Sequence, residues 1–138
     1  MDSGYRTKAE RIINKSIGIF LGMGIDVAEE GHCVVRMRAE GDAQNGSGRV
    51  HGGAITALID NAATAAAWAH AGLGKNARGT TVSLTCNFLD AGKAADLIAD
   101  ARVVRRGRSM VFIEIDVTDT DDRAIAHGLV TYKLGVRN

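Results

Sequence analysis

The chain has 138 residues, 46% of them apolar and 24% charged, with a net charge of +1. That is enough for one domain with its own core, residues 1–138, and no surplus field of one sign remains to recruit nucleic acid. Aromatic residues make up only 4%, too few for base-stacking platforms.

The N-terminal "MDSGYRTKAERIINKS" mixes charges early and lacks the apolar core of a secretion signal. No apolar run is long enough to span a bilayer without polar interruption. The expectation is a soluble cytoplasmic protein with no membrane partner. Residues 6–20 place Ile12, Ile13, Ile17 and Phe20 near one helical face and predict a short helix ending by Gly22 and Gly24. "GIDVAEEGHCVVRMRAE" predicts two strands joined at Glu29-Glu30-Gly31. Residues 41–50, "GDAQNGSGRV", predict a loop rich in turn formers. A long helix over 52–71 follows, closed by Gly72 and Gly74.

The remainder predicts strands over 79–89, 95–105, 109–119 and 124–134, with turns at "RRGRS" and "TDTDDR". In the third of these, Met110, Phe112, Glu114 and Asp116 alternate with Val111, Ile113, Ile115 and Val117. Cys33 and Cys86 sit inside apolar segments and are expected to be buried, reduced thiols. One long helix with a run of strands on either side predicts an α+β fold built on a mostly antiparallel sheet.

The long helix carries the sequence's oddest feature. Between Arg49 and Lys75 there is one charged residue, Asp60. On a helical wheel Gly53, Thr56, Ala63, Thr64 and Ala67 fall on its side, and Ile55, Leu58, Ile59, Ala62, Ala66 and Ala69 on the other. A helix apolar or small all round is buried all round. One sheet covers one side, so a second subunit is expected to cover part of the other. An ionised carboxylate there costs several kcal/mol unless paired or hydrogen-bonded. A structural Asp satisfied by a neighbouring hydroxyl is one reading; a reactive acid is the other.

Upstream of it, "NGSGRVHGG" sets Asn45, His51, Gly52 and Gly53 just before or at the helix start. Helix N-termini offer unpaired N–H groups and the positive end of the dipole, and glycines let a ligand carbonyl approach them. These are the parts of an oxyanion hole. The histidines His32, His51, His70 and His127 show no metal-ligand spacing, so no metal or other cofactor is expected.

Asn45, then His51-Gly52-Gly53 six residues on, then Asp60 nine residues after the histidine, resembles the hot-dog-fold thioesterases, most closely the phenylacetate-degradation (PaaI-like) branch. The element order, "GTTVSLTCNFLDAGKAAD" and "VVRRGRSMVFIEIDV" extend the likeness over nearly the whole chain. The resemblance implies a curved antiparallel sheet wrapped around a central helix, in a homodimer that assembles to a tetramer in many members. It implies acyl-coenzyme A as substrate, with an aryl or medium-chain acyl group expected here.

By the same resemblance the Gly52 N–H polarises the thioester carbonyl, and Asn45 and His51 orient the substrate or loop. Asp60, from the opposite protomer, is the base or nucleophile. Thr81 is the favoured hydroxyl partner, with Thr64 and Ser83 as alternatives; Ser83 is expected on the same face as Thr81. Gly53 lines the substrate site. Arg105, Arg106, Gly107, Arg108 and Ser109 match the hairpin near the nucleotide of coenzyme A. The alternatives are a non-catalytic acyl-coenzyme A binding protein and a hot-dog dehydratase or hydratase.

Overall fold

The computed structural model describes residues 4–38, 49–92 and 95–136. The elements are α1 (Tyr5–Ile13), α2 (Ser16–Phe20), β1 (Met23–Glu29), β2 (His32–Met37), α3 (Gly52–Trp68), β3 (Ala77–Phe88), β4 (Leu97–Arg106), β5 (Met110–Asp119) and β6 (Ala124–Val136). The strands form one six-stranded sheet in the order β1-β2-β4-β5-β6-β3, and every pair is antiparallel. The sheet wraps α3, as the resemblance implies. No helix among the described residues is long and apolar enough to cross a membrane.

Alternation decides which face of the sheet meets α3. Val111, Ile113, Ile115 and Val117 of β5 are buried, while Phe112, Glu114 and Asp116 are exposed. The register lines up inward rows across the strands: Cys33, Ala101, Ile115 and Gly128 form one, and Val35, Ala99, Val117 and Ala126 the next. From α3, Leu58 and Ile59 pack onto these rows fully buried, each worth about 1.5–3 kcal/mol of apolar transfer. The fit is close at Gly128, where an added Cβ would lie 2.8 Å from Ile59 Cγ2.

The N-terminal segment departs from the single helix expected over 6–20. It breaks into α1 and α2 around Asn14 and Lys15, and Ser16 takes a left-handed φ of 40°. Gly18 then crosses the end of α1 so tightly that a Cβ would lie 1.8 Å from the Ile13 carbonyl oxygen. The break lets α1 lie along α3 with Ala9 and Ile13 fully buried. Ala63 and Ala67, on the Asp60 side of the wheel, are fully buried within the single chain. Thus α1 takes over part of the cover assigned above to a second subunit. The helix also ends at Trp68, three residues short of the expected 71.

The β5–β6 turn is held by Asp119, which is buried. Its Oδ1 accepts the N–H groups of Arg123 (3.0 Å) and Asp121 (2.9 Å), and Arg123 Nε lies 3.1 Å from Oδ2. The Arg123 backbone N–H above all holds this carboxyl below its usual pKa, against the opposing effect of burial.

Cys33 is fully buried and Cys86 partly so, both as free thiols. Burial pushes the Cys33 thiol up from 9.0 to about 12. Since the folded pKa is the higher one, this thiol favours the fold below pH 9 and its contribution is lost as pH rises from there toward 12. At pH 8, maleimide is expected to modify the native chain once, at Cys86, and to reach Cys33 only in denaturant. Equal labelling of both thiols in the native state, read by mass spectrometry, would contradict the packing of β2.

Candidate active site

His51 is the N-cap of α3, with extended backbone at φ −63° and ψ 133°. Its Nδ1 accepts the Gly53 N–H at 3.1 Å, which satisfies one of the orphan donors of the first turn. The acceptor role fixes the neutral tautomer with the proton on Nε2. His51 itself is exposed, so its position is set by this bond and not by packing. The Gly52 N–H, one residue earlier, has no acceptor among the described residues. A Cβ on Gly52 would make only an ordinary contact, 3.6 Å, with the Phe88 ring. Asn45 lies outside the described residues.

Two turns further along α3, Asp60 is half-buried. Thr81 Oγ1 donates to its Oδ1 at 2.7 Å. Of the three candidate hydroxyls, the structure brings this one to the carboxylate. Thr64 makes no side-chain hydrogen bond among the described residues. Ser83 corrects an expectation: it does not share a face with Thr81. The β3–β6 register runs Thr81↔Tyr132 and then Ser83↔Thr131, with a bulge at Val82. A bulge inserts one extra residue and reverses the alternation beyond it. Thr81 therefore faces α3 beside buried Tyr132, and Ser83 is exposed on the outer face.

Asp60 and Thr81 border a cleft of about 370 Å³ between α2, α3 and β3, lined also by Gly53, Thr56, Ala57, Asn61, Leu84 and Ile17. Behind it, Trp68 Nε1 donates to the Tyr132 hydroxyl at 2.9 Å. Burial raises the Tyr132 pKa and the charge of Asp60 adds to the rise, while the Trp68 bond works against it. Tyr132 lies over Gly79, where a Cβ would sit 2.5 Å from its hydroxyl oxygen. Sequence reasoning missed Tyr132, Trp68, Asn61 and Ile17. Its place in a predicted strand was the one signal for Tyr132, and nothing local tied it to Asp60.

The "RRGRS" segment forms the β4–β5 hairpin. Arg105 and Arg108 are exposed. A second bulge, at Val104, turns Arg106 to the inner face, where its Nη2 donates to the Ala67 carbonyl at 3.0 Å. Burial lowers the Arg106 pKa and Glu30 opposes that. Arg106 thus caps the last turn of α3, where a cation suits the dipole. Gly107 N–H donates to the Met110 carbonyl (2.8 Å) and the Ser109 carbonyl accepts the Leu134 N–H (2.7 Å), which fixes the hairpin against β6.

On the outer face, the register sets His127 beside Asp116, and its Nε2 lies 3.2 Å from Glu114 Oε1. Ligand atoms of these three residues fall within 4.8 Å of one another. Sequence spacing did not foretell this grouping. It lies across the sheet from Asp60.

A cleft with a hydroxyl-bonded carboxylate, and a helix N-terminus whose Gly52 N–H has no acceptor among the described residues, suits addition of water to an activated carbonyl. The comparisons with known proteins agree. The family model described as the thioesterase superfamily matches residues 47–126. Human acyl-coenzyme A thioesterase 13 is 28% identical over 110 residues, which cover 78% of this chain and 76% of that one. A thioesterase family protein from Silicibacter pomeroyi superposes with a TM-score of 0.87 at 24% identity, covering 97% of this chain and 100% of that one. The E. coli PaaI protein, from the phenylacetic acid degradation operon, superposes with a TM-score of 0.80 at 24% identity, covering 94% of each chain. The two superpositions speak for the fold. The family match takes in all of α3 and β3, with His51, Gly52, Asp60 and Thr81, and on it the chain belongs to the thioesterase superfamily, as a hot-dog-fold thiolester hydrolase.

Proposed function

We propose that this chain hydrolyses acyl-coenzyme A esters carrying an aryl or medium-chain acyl group, as in the PaaI-like branch, with Asp60 as base or nucleophile. The observation that carries the reading is the 2.7 Å bond from Thr81 to Asp60 at the wall of an open cleft. Thr81 holds the carboxylate in one rotamer while Oδ2 stays available. As a base, that oxygen takes a proton from the water that adds to the carbonyl. The C–S bond then breaks and coenzyme A leaves as the thiol. As a nucleophile, it attacks the carbonyl carbon and expels coenzyme A as the thiolate, which takes up a proton; the resulting anhydride is then cleaved by water to the free acid and Asp60.

The Gly52 N–H supports the role of oxyanion donor, but not toward the Asp60 of its own chain. Eight residues of helix separate them, about 12 Å at 1.5 Å per residue. A donor and an attacking group must both lie about 3 Å from one carbonyl. A site made of these parts therefore takes Gly52 from one protomer and Asp60 from another. β3 supports such an assembly: it is a 12-residue edge strand with Val82 exposed at 53% and Phe88 at 54%. A long edge of unpaired backbone groups with two exposed apolar side chains is a pairing surface. An isologous pair of β3 strands gives the homodimer two equivalent composite sites; a tetramer would add a second such dimer.

The deciding experiment is thiol release, measured with a panel of acyl-coenzyme A esters. No release above the uncatalysed rate from any ester would overturn the reading. The exposed arginines of the hairpin support phosphate recognition at the nucleotide. Arg105→Ala or Arg108→Ala is expected to raise KM roughly tenfold, the size of one charge-assisted hydrogen bond, with kcat nearly unchanged. Arg106→Ala is expected to lower thermal stability instead, because it frees the Ala67 carbonyl. A truncated thioester lacking the nucleotide that showed wild-type kinetics would remove the hairpin's binding role.

A further inference from the structure

We propose that Ile17, on α2, is the specificity-determining wall of the acyl subsite and that the subsite takes an uncharged, apolar acyl group. This rests on the hydrolytic reading above, since Asp60 marks where the thioester carbon sits. From that point the cleft is walled on the α3 side by short residues, Gly53, Thr56 and Ala57. Only Ile17 and Leu84 present large aliphatic groups to it. They stand on different elements, α2 and β3, so the distance between them sets the room available.

Ile17 is 48% exposed, although Gly18 beside it is buried and Leu21 one turn on is buried too. An isoleucine left half in water beside a cleft has apolar area to give to a ligand. Its backbone is held. Ile17 O accepts the Leu21 N–H at 2.9 Å, and Gly18 N–H donates to Lys15 O at 2.9 Å. The crossing at Gly18 leaves no room for α2 to slide toward α1. A side chain on such a fixed turn acts as a stop and not as a flap.

The polar lining explains the acyl class. The Thr56 hydroxyl donates to the Gly52 carbonyl at 3.0 Å, and Asn61 Nδ2 is turned to Met23 Sδ at 3.4 Å. The Thr56 hydroxyl therefore has no donor left for the cleft, and one of the two Asn61 N–H groups is engaged away from it. Among the described residues of this chain, Asp60 is the one charged residue lining the cleft, with no Lys, Arg or His beside it. An acyl group ending in a carboxylate would meet a like charge, with no counter-ion among these residues, at a cost a hydrocarbon does not incur.

The test compares wild type, Ile17→Ala and Ile17→Phe across saturated acyl-coenzyme A esters from butanoyl to hexadecanoyl, with succinyl-coenzyme A as the charged probe. Ile17→Ala is expected to raise the ratio of kcat/KM for long over short esters by about tenfold or more, the usual worth of a few methylenes in a pocket. Ile17→Phe is expected to move the ratio the other way. Succinyl-coenzyme A should run at least about tenfold below butanoyl with all three proteins. Ile17 is half-exposed, so the alanine variant should keep the wild-type melting point and alone suffices to decide. Parallel profiles for the wild type and the alanine variant, or good turnover of succinyl-coenzyme A, would overturn the proposal. If wild type hydrolyses none of the esters, calorimetric Kd values over the same series separate the two ideas. Opposite shifts in affinity would uphold the subsite while the hydrolytic reading falls; an unshifted order would sink both.

Discussion

Asp60→Asn is expected to lower kcat by about 10²–10⁴-fold, the usual share of a positioned acid or base, while KM changes little. The amide is nearly isosteric with the carboxylate, and its oxygen still accepts the Thr81 hydroxyl that now reaches Oδ1 at 2.7 Å. Packing should therefore survive. A half-buried charge is removed, so the melting point should match wild type or exceed it, a stability gain where function is lost. Single turnover in heavy-oxygen water then separates the two roles in the wild-type protein. A nucleophilic Asp60 acquires label in its own carboxylate, and a base leaves label only in the product acid. Near wild-type turnover by the Asn variant would make the acid structural.

The second large effect is expected from Gly52→Pro. Proline removes one N–H and is favoured at the first helical position, where that N–H has no intrahelical partner. The preceding residue must then be extended, and His51 already is, at φ −63° and ψ 133°. A Cβ there meets only the Phe88 ring at 3.6 Å. The variant should fold as well as wild type and lose about 10²–10³-fold in kcat, the worth of one oxyanion donor.

Because Gly52 and Asp60 of one helix lie too far apart to share a carbonyl, co-expressing the proline and Asp60→Asn chains should restore activity. Random pairing in a two-fold dimer leaves one intact site in half of the dimers, so about a quarter of the wild-type rate is expected. Additive background rates from the mixture, or full activity in a monodisperse monomer by light scattering, would show that the site is not shared.

Much of this was legible in the sequence, and the exceptions have physical causes. The helix from Gly52 showed through its length and glycine punctuation, and β5 through strict alternation, because both patterns are local. Asp60 showed as the lone charge on an apolar helix. What local pattern cannot carry is register. The bulges at Val82 and Val104 fall on ordinary β-branched residues with no glycine to announce them. Each reverses alternation beyond it, which sent Ser83 outward, against expectation, and Arg106 inward. The break at Ser16 was equally silent, since Ile12, Ile13, Ile17 and Phe20 fit one helix as well as two. With that break went the knowledge that α1 covers α3 and that Ile17 stands at the cleft. The pairing of Trp68 with Tyr132 joins residues 64 apart, and only the closed fold brings them together.

The contact of Ile59 with Gly128 also orders the routes by which this sequence can drift. A methyl on residue 128 would come within 2.8 Å of Ile59 Cγ2 and 3.5 Å of the Thr85 carbonyl oxygen. Ile59 or its helix would have to give way to admit it, and the residue after Ile59 is Asp60, whose 2.7 Å bond to Thr81 such a shift would disturb. Trimming Ile59 to Ala first leaves a cavity costing about 2–5 kcal/mol, which an Ala at 128 would then partly refill. The double variant is the same by either route, but only the route that starts at Ile59 avoids an intermediate with the clash. Descendants that keep Ile59 are held to glycine at 128, and lineages that lose the isoleucine early gain a freedom there that the others never acquire.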